Sequence, residues 1–416
     1  MPLERITQQL LREIAEIEAS GASKRYQPVI TQIVPATRKR GPRYLIEGQG
    51  ERLFLRMNSN GYLGIALRQE LIDAEERAVR AFGSGPGAVR FISGTYAPHV
   101  ELERRLAAFH GRESAMIFSS AYATVMGVLP AFITPETAVI SDALNHNCII
   151  NATRLAHPKE KHVYAHLDMA DLKSCLTRAA AACRRAIVVT DGIFSMRGDH
   201  APLADIKEIA ARFDARYPDN VVVMVDDSHG VGAIGATGRG TEEHTGAGPC
   251  DILIATLGKA LGVNGGYVVA DRILIDYLRE KAPFYIYSNP ITPGEAAAAT
   301  KALDILDSPT GSNLLKRLRQ LTVHFRQGLN DLGYEVLAGE HPVVPLLLRD
   351  TARTHAMVQH LQSNGVLATG LCYPVVPRGE EEIRFQISAE HTEDDLDAVL
   401  AVLATFLTRG AMNRVR

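Results

Sequence analysis

Four short runs of this chain are apolar almost throughout and then stop in polar residues: Ala138-Val139-Ile140, Ala186–Thr190, Val221–Val225 and Ile252–Ala255. A strand with one wet face alternates apolar and polar side chains. An unbroken apolar run suits a strand buried on both faces, as in a parallel sheet covered by helices. Helical periodicity precedes and separates them, at Pro98–His110, Ala121–Phe132, Ala170–Arg184 and Leu203–Phe213. This alternation predicts an α/β fold with a mostly parallel central sheet and right-handed crossovers.

A chain of 416 residues exceeds one ordinary core. Ile6, Leu10, Ile14 and Ile17 recur at helical spacing, and a polar, Pro-containing segment follows. Short strands are expected at Tyr44–Ile46 and Leu53–Arg56. After about residue 295 long helical patterns appear, Gly294–Leu306 and Leu314–Leu332. Strands near Val343–Leu348 and Ile383–Ile387 and a final helix, Glu393–Leu407, close the chain. The expected organisation is a helical arm (1–43), a large domain (44–295) and a smaller C-terminal α/β domain (296–416).

Lys plus Arg (45) nearly balances Asp plus Glu (47), so no global field favours nucleic acid or an anionic membrane. The five cysteines share no metal-like spacing, and neither a disulfide framework nor a metal site is expected. No apolar run reaches about 18 residues, the length a membrane span needs, and no basic start precedes an apolar stretch. A cytoplasmic location is expected.

The strand ends carry the chemistry. Val221–Val225 empties into Asp226-Asp227-Ser228-His229. An acid there can hold a pyridine nitrogen protonated, and a histidine nearby can reach a ring substituent; alternatively these residues simply cap a loop. Ile252–Ala255 leads through Thr256-Leu-Gly to Lys259, placed among small residues where desolvation lowers an amine's pKa. The competing reading is a lysine snorkelling from a loop. The run at 138–140 is followed by Ser141-Asp-Ala-Leu-Asn-His146, and the run at 186–190 by Asp191-Gly-Ile-Phe-Ser195. Ligands of open α/β sheets sit at the carboxyl ends of strands, so His146, Ser195, Asp226, His229 and Lys259 are expected on one rim. Gly230-Val-Gly-Ala-Ile-Gly235 fits a dinucleotide fingerprint, but that motif should open directly into a helix, and here a Gly-rich loop follows.

Taken with Asn58-Ser-Asn60-Gly-Tyr-Leu-Gly64, Val89-Arg-Phe-Ile-Ser-Gly94-Thr95, Thr256-Leu-Gly-Lys259 and Arg384-Phe-Gln-Ile-Ser-Ala389, these segments make the chain resemble the α-oxoamine synthases. These are fold-type I enzymes dependent on pyridoxal 5'-phosphate (PLP) that join an amino acid to an acyl-CoA. The likeness runs from about Tyr44 to Leu407. It is most marked toward the glycine C-acetyltransferase branch, through Thr190–Met196, Tyr373-Pro-Val-Val-Pro377 and Ile383–Thr392.

The resemblance implies roles. Lys259 forms the Schiff base and moves the α-proton, and Asp226 pairs with the pyridinium nitrogen. His229 and Ser195 contact the ring-oxygen region, while His146 stacks on the ring and borders the substrate. Backbone at Ala121 and Tyr122 and the Thr256 hydroxyl hold the phosphate. A homodimer is implied, in which Ser288 and Asn289 of the neighbouring subunit reach that phosphate. Arg384 with Asn60 binds the amino-acid carboxylate, a task suited to a guanidinium fork. Glycine and acetyl-CoA are the expected pair, giving an α-amino-β-keto acid or its decarboxylated aminoketone.

The chain departs from the family pattern at Val125, where many members have Asn, and at Asn147-Cys148 and Asn151, which replace Ala-Ser and an acid. These changes bear on substrate identity more than on the cofactor. The alternatives are another α-oxoamine synthase with a longer acyl-CoA or different amino acid, an aminotransferase or lyase, and a non-catalytic partner subunit. Asn60, Ser93-Gly94-Thr95 and Arg384 speak against an aminotransferase or lyase. The retained Lys259 speaks against a non-catalytic subunit.

Overall fold

The computed structural model describes residues 3–20, 23–25, 27–373 and 375–412, the side chains of 408–412 excepted. Pro374 of the Tyr373–Pro377 motif therefore lies outside the described residues. Seven strands form the central sheet: β1 (Ser114–Phe118), β2 (Thr137–Asp142), β3 (Glu160–Tyr164), β4 (Arg185–Asp191), β5 (Val221–Asp226), β6 (Ile252–Thr256) and β7 (Gly266–Ala270). Their order is β1-β7-β6-β5-β4-β2-β3. All run parallel except β7, which is antiparallel to both its neighbours.

The four apolar runs are β2, β4, β5 and β6, and they occupy adjacent positions in the sheet. Three further strands of this sheet were not expected from the sequence, and two of them have reasons to be quiet. Glu160–Tyr164 is an edge strand with alternating burial, and Gly266–Ala270 is brief and follows glycines. One expected helix is shorter than its pattern: it spans Met169–Ala179, not Ala170–Arg184. Its start is pinned by Asp168, whose side chain accepts from the Ala170 and Asp171 N–H groups at 2.9 and 3.0 Å. The alanines beyond Ala179 keep the helical spacing but form the turn into β4.

By packing, the residues group into two units. One is Asn60–Gln320 with Gly339–Pro342; the other comprises the described residues of Met1–Ser59, Leu321–Ala338 and Val343–Arg416. This division runs differently from boundaries at 43 and 295. Helix Pro293–Leu306 packs on helices Gln69–Phe82 and Ala97–Phe109, which keeps it with the central sheet. Strand Leu55–Arg56 pairs in parallel with Val366–Leu367, which places it with the C-terminal residues.

The second unit contains a four-stranded antiparallel sheet, ordered Glu335–Val336, Val343–Leu347, Glu382–Gln386, Thr369–Leu371. Helix Glu4–Ala19 carries the expected apolar stripe, but Ile6, Leu10 and Ile17 are exposed. The polar segment after it holds a strand, Ile30–Val34, paired with Arg43–Ile46. Among the described residues no helix is long and apolar enough to cross a membrane.

Candidate active site

Strand β3 lies on the outer side of β2 and β4 on its inner side. The chain thus leaves β2 in one direction and returns past it, so the loops after β2 and β4 diverge and open a crevice at the carboxyl edge. A cleft enclosing about 340 Å³ of atom-free space, part of it open to solvent, sits there. It is lined by Ala121, Tyr122, His146, Ser195, Asp226, His229 and Lys259, together with Cys148 and Asp191.

The acid pair at the end of β5 divides its work. Asp226 faces the cleft, where one carboxylate oxygen accepts from the Ser228 N–H at 3.1 Å. Asp227 turns the other way, is fully buried, and accepts from the Thr241 N–H at 2.7 Å and the Thr241 hydroxyl at 2.5 Å. Burial raises its carboxyl to about 7. Asp227 therefore anchors the Gly-rich loop that leads to Thr241, and that loop opens into no dinucleotide-type helix.

His146 caps helix Asn147–Ala156: its Nδ1 accepts from the Cys148 N–H at 3.2 Å. A backbone N–H only donates, so the imidazole is neutral with its proton on Nε2. Burial, opposed by the Asp226 charge, draws its pKa below the ordinary value. The Cys148 thiol lies 2.9 Å from His146 Nδ1 and 3.7 Å from Asp226 Oδ2. Burial, reinforced by Asp226, pushes this thiol far up, so it stays protonated. The substituted Asn147 and Asn151 bond to each other at 2.7 Å and both hold the Tyr122 hydroxyl, at 3.3 and 2.7 Å. Val125 is buried in the apolar core against the sheet.

His229 is positioned by residues for which the sequence offered no role. Tyr62 Oη stands 2.7 Å from His229 Nδ1, and His341 Nε2 stands 2.8 Å from the His229 carbonyl. Tyr62 lies inside the Asn60–Gly64 motif, which was a usable signal; His341 belongs to no motif. Lys259 follows β6 in a turn closed by the Gly262 N–H on the Lys259 carbonyl at 3.0 Å. Gly262 has φ +69° and approaches Ala66 so closely that a Cβ would stand 2.8 Å from the Ala66 nitrogen. The Thr256 hydroxyl accepts from Gly258 N–H and donates to the Gly265 carbonyl, both at 3.1 Å.

Helix Ala121–Ala131 opens at the cleft, with Ser120 accepting from the Ala123 N–H at 3.1 Å. The N–H groups of Ala121 and Tyr122 are left for an anion. A Cβ on Gly266 would stand 2.4 Å from the Ala121 nitrogen, so only glycine lets the helix start sit this close to the sheet. Helix start, facing acid, flat neutral histidine and lysine together fit a phosphorylated pyridine aldehyde. Asn60, Thr256, Ser288 and Asn289 do not line the cleft. Arg384 lies in the second unit, on strand Glu382–Gln386.

Two of the loops at this rim are joined by a charge. His166 Nδ1 lies 2.9 Å from Asp142 Oδ1 and its Nε2 3.2 Å from Asp199 Oδ2, while its ring meets Phe194 edge-on at 4.4 Å. Asp142 begins the loop to His146, and Asp199 ends the loop that carries Ser195. Burial lowers the His166 pKa, but the hydrogen bonds it donates to both carboxylates prevail and raise it to about 9. A group raised in the folded state stabilises fully below its unfolded value, near 6.5, and that contribution is lost as pH rises through about 9. The melting temperature of the wild type should therefore fall between pH 7 and 10. In His166→Gln the fall should be flatter by the equivalent of about 2 kcal/mol. Parallel melting curves in differential scanning fluorimetry would remove the clamp.

Residues 54–403 match the family described as aminotransferase class I and II. The chain is 39% identical over 391 residues to 8-amino-7-oxononanoate synthase 1 of Bacillus velezensis, covering 94% of this chain and 95% of that protein. It is 40% identical over 364 residues to human mitochondrial 2-amino-3-ketobutyrate coenzyme A ligase, covering 87% and 84%. Among solved structures, a lysine-to-alanine variant of serine palmitoyltransferase from S. paucimobilis with bound PLP–myriocin aldimine superposes with a TM-score of 0.86. It has 26% identity and covers 97% of this chain and 98% of that one.

Proposed function

Because the chain belongs to the class I and II aminotransferase family and, within it, to the α-oxoamine synthases, PLP-dependent acyltransferases acting on an amino acid and an acyl-CoA, we propose that its own substrates are glycine and acetyl-CoA. The 40% identity to the human 2-amino-3-ketobutyrate coenzyme A ligase supports this choice, and the Tyr373-Pro-Val-Val-Pro377 motif carries it. A butyrate skeleton is what glycine and an acetyl group make together. The Thr190–Met196 and Ile383–Thr392 segments support the same branch. A second reading draws on the 8-amino-7-oxononanoate synthases, which match at similar identity. A nonanoate skeleton calls for a much longer acyl chain.

Bound PLP supplies a protonated pyridine ring that takes up the charge left when an amino acid loses its α-proton. Lys259 holds the cofactor through its amine and then carries the α-proton. Asp226 keeps the ring nitrogen protonated. His146, neutral and flat, covers the ring face, and His229, steadied by Tyr62 and His341, serves the ring-oxygen side with Ser195. The first-turn N–H groups at Ala121 and Tyr122 take the phosphate, and the Thr256 hydroxyl joins them by turning its proton away from the Gly265 carbonyl. In a homodimer, Ser288 and Asn289 of the neighbouring subunit complete that cradle. Arg384 and Asn60 bind the amino-acid carboxylate. With its α-proton held by Lys259, the amino acid's α-carbon would bond to the thioester carbonyl carbon as the C–S bond breaks and CoA leaves as its thiol.

The reading is tested by an activity grid of amino acids against acyl-CoA chain lengths, with thiol release and product mass recorded. A mass of one glycine plus one acetyl unit, or its decarboxylated form, is expected. A long-chain product would shift the assignment to the second reading. Arg384→Ala should raise the amino-acid KM about tenfold or more and leave the acyl-CoA KM within about threefold. An equal rise in both would displace Arg384 from the carboxylate.

A further inference from the structure

Two carboxylates line the cleft, and only Asp226 has been given work there. Asp191 is its register partner on the adjacent parallel strand β4. Register partners direct their side chains to the same face of a sheet, so the two acids stand as neighbours. Asp191 is 4% exposed. Its own N–H donates to Asn145 Oδ1 at 2.8 Å, and its Oδ2 accepts from the His146 N–H at 3.1 Å. Its Oδ1 is buried and has no hydrogen-bond partner among the described residues.

An ionised carboxylate oxygen can only accept. One that is buried without a donor, beside a second carboxylate, is penalised twice, by desolvation and by like charge. Lys259, the cation of this cleft, can offset one anion but not two. Protonation removes the charge, and with it the like-charge repulsion and the larger part of the desolvation cost.

We propose that Asp191 stands as a neutral carboxylic acid with its proton on Oδ1. It is a positioning residue: Oδ2 fixes the turn that presents His146, and the Oδ1 hydroxyl is a donor in the cleft wall. Asp226 is then the single anion left for the ring nitrogen. Burial and the Asp226 charge both push Asp191 well above the usual carboxylate range. Two adjacent acids in opposite protonation states are a known route to opposite roles in one pocket. The functional half of the proposal rests on the cofactor reading of the cleft; the protonation state does not.

The test uses the PLP-reconstituted enzyme and its Asp191→Asn and Asp191→Ala variants. At neutral pH the infrared spectrum of the wild type should contain the carbonyl stretch of a buried protonated carboxyl, and Asp191→Asn should lose that band. An asparagine amide accepts from His146 with its oxygen and donates with its NH2. Asp191→Asn should therefore bind PLP within about threefold of wild type, and Asp191→Ala about tenfold or more weaker. The proposal is overturned if no band disappears in Asp191→Asn, or if Asp191→Asn loosens PLP as much as Asp191→Ala. Should the alanine variant fail to fold, the infrared comparison still decides. A different product in the substrate grid would leave both readouts untouched, so the two readings fail separately.

Discussion

Lys259→Ala is expected to abolish turnover, by more than about 10⁴-fold, because the covalent tether and the proton carrier are lost in one substitution. Lys259 follows β6, with Asp226 ending the neighbouring strand β5 and both residues lining one cleft. An amine so placed can reach an aldehyde held by the helix start at Ala121. Alanine removes that amine and leaves the turn intact, since the turn is closed by the Lys259 carbonyl and by Gly262, which the substitution does not touch. The variant should fold, melt within a few degrees of wild type and lack the visible absorbance of the lysine-linked cofactor. Borohydride reduction of the wild type followed by peptide mapping should find PLP fixed at Lys259. An unchanged visible spectrum in the variant, or a label on another lysine, would end the assignment.

Asp226→Asn is the second large effect. The amide has nearly the same shape, but it carries no charge and cannot hold a pyridine nitrogen protonated. The rate should fall by about 10²–10³-fold or more, the size seen when a fixed electrostatic partner is removed from a site. The loss should appear in kcat, with PLP still retained, because phosphate and amine contacts lie elsewhere. Its neighbour provides the contrast. Asp227 is bonded to Thr241 and faces away from the cleft. Asp227→Asn should therefore act on the melting temperature, which an activity assay on the folded fraction separates from kcat. If both asparagine variants lose activity in the same proportion to their stability, Asp226 has no electrostatic role.

Much of this site was legible along the chain. Apolar runs marked the buried strands, and each run broke at the residue where chemistry begins. The departures at Asn147 and Asn151 were also visible, but their consequence was not. Only folding shows the two amides joined to Tyr122 as one hydrogen-bonded group at the cleft mouth. His166 is a comparable case. Its sequence neighbourhood is unremarkable, and its charge follows from two carboxylates 24 and 33 residues away.

Local patterning by itself determined that this chain builds a parallel sheet and sends His146, Ser195, an acid pair with His229, and Lys259 to strand ends, because burial on both strand faces writes itself into consecutive residues. The tertiary structure alone decided which acid of the pair enters the cleft, since Thr241 captures Asp227. It also brought Tyr62 and His341 to His229 and set Asp191 beside Asp226. Those outcomes depend on strand order and crossover direction, which are fixed by packing between residues far apart in the chain and leave no trace in any short window of sequence.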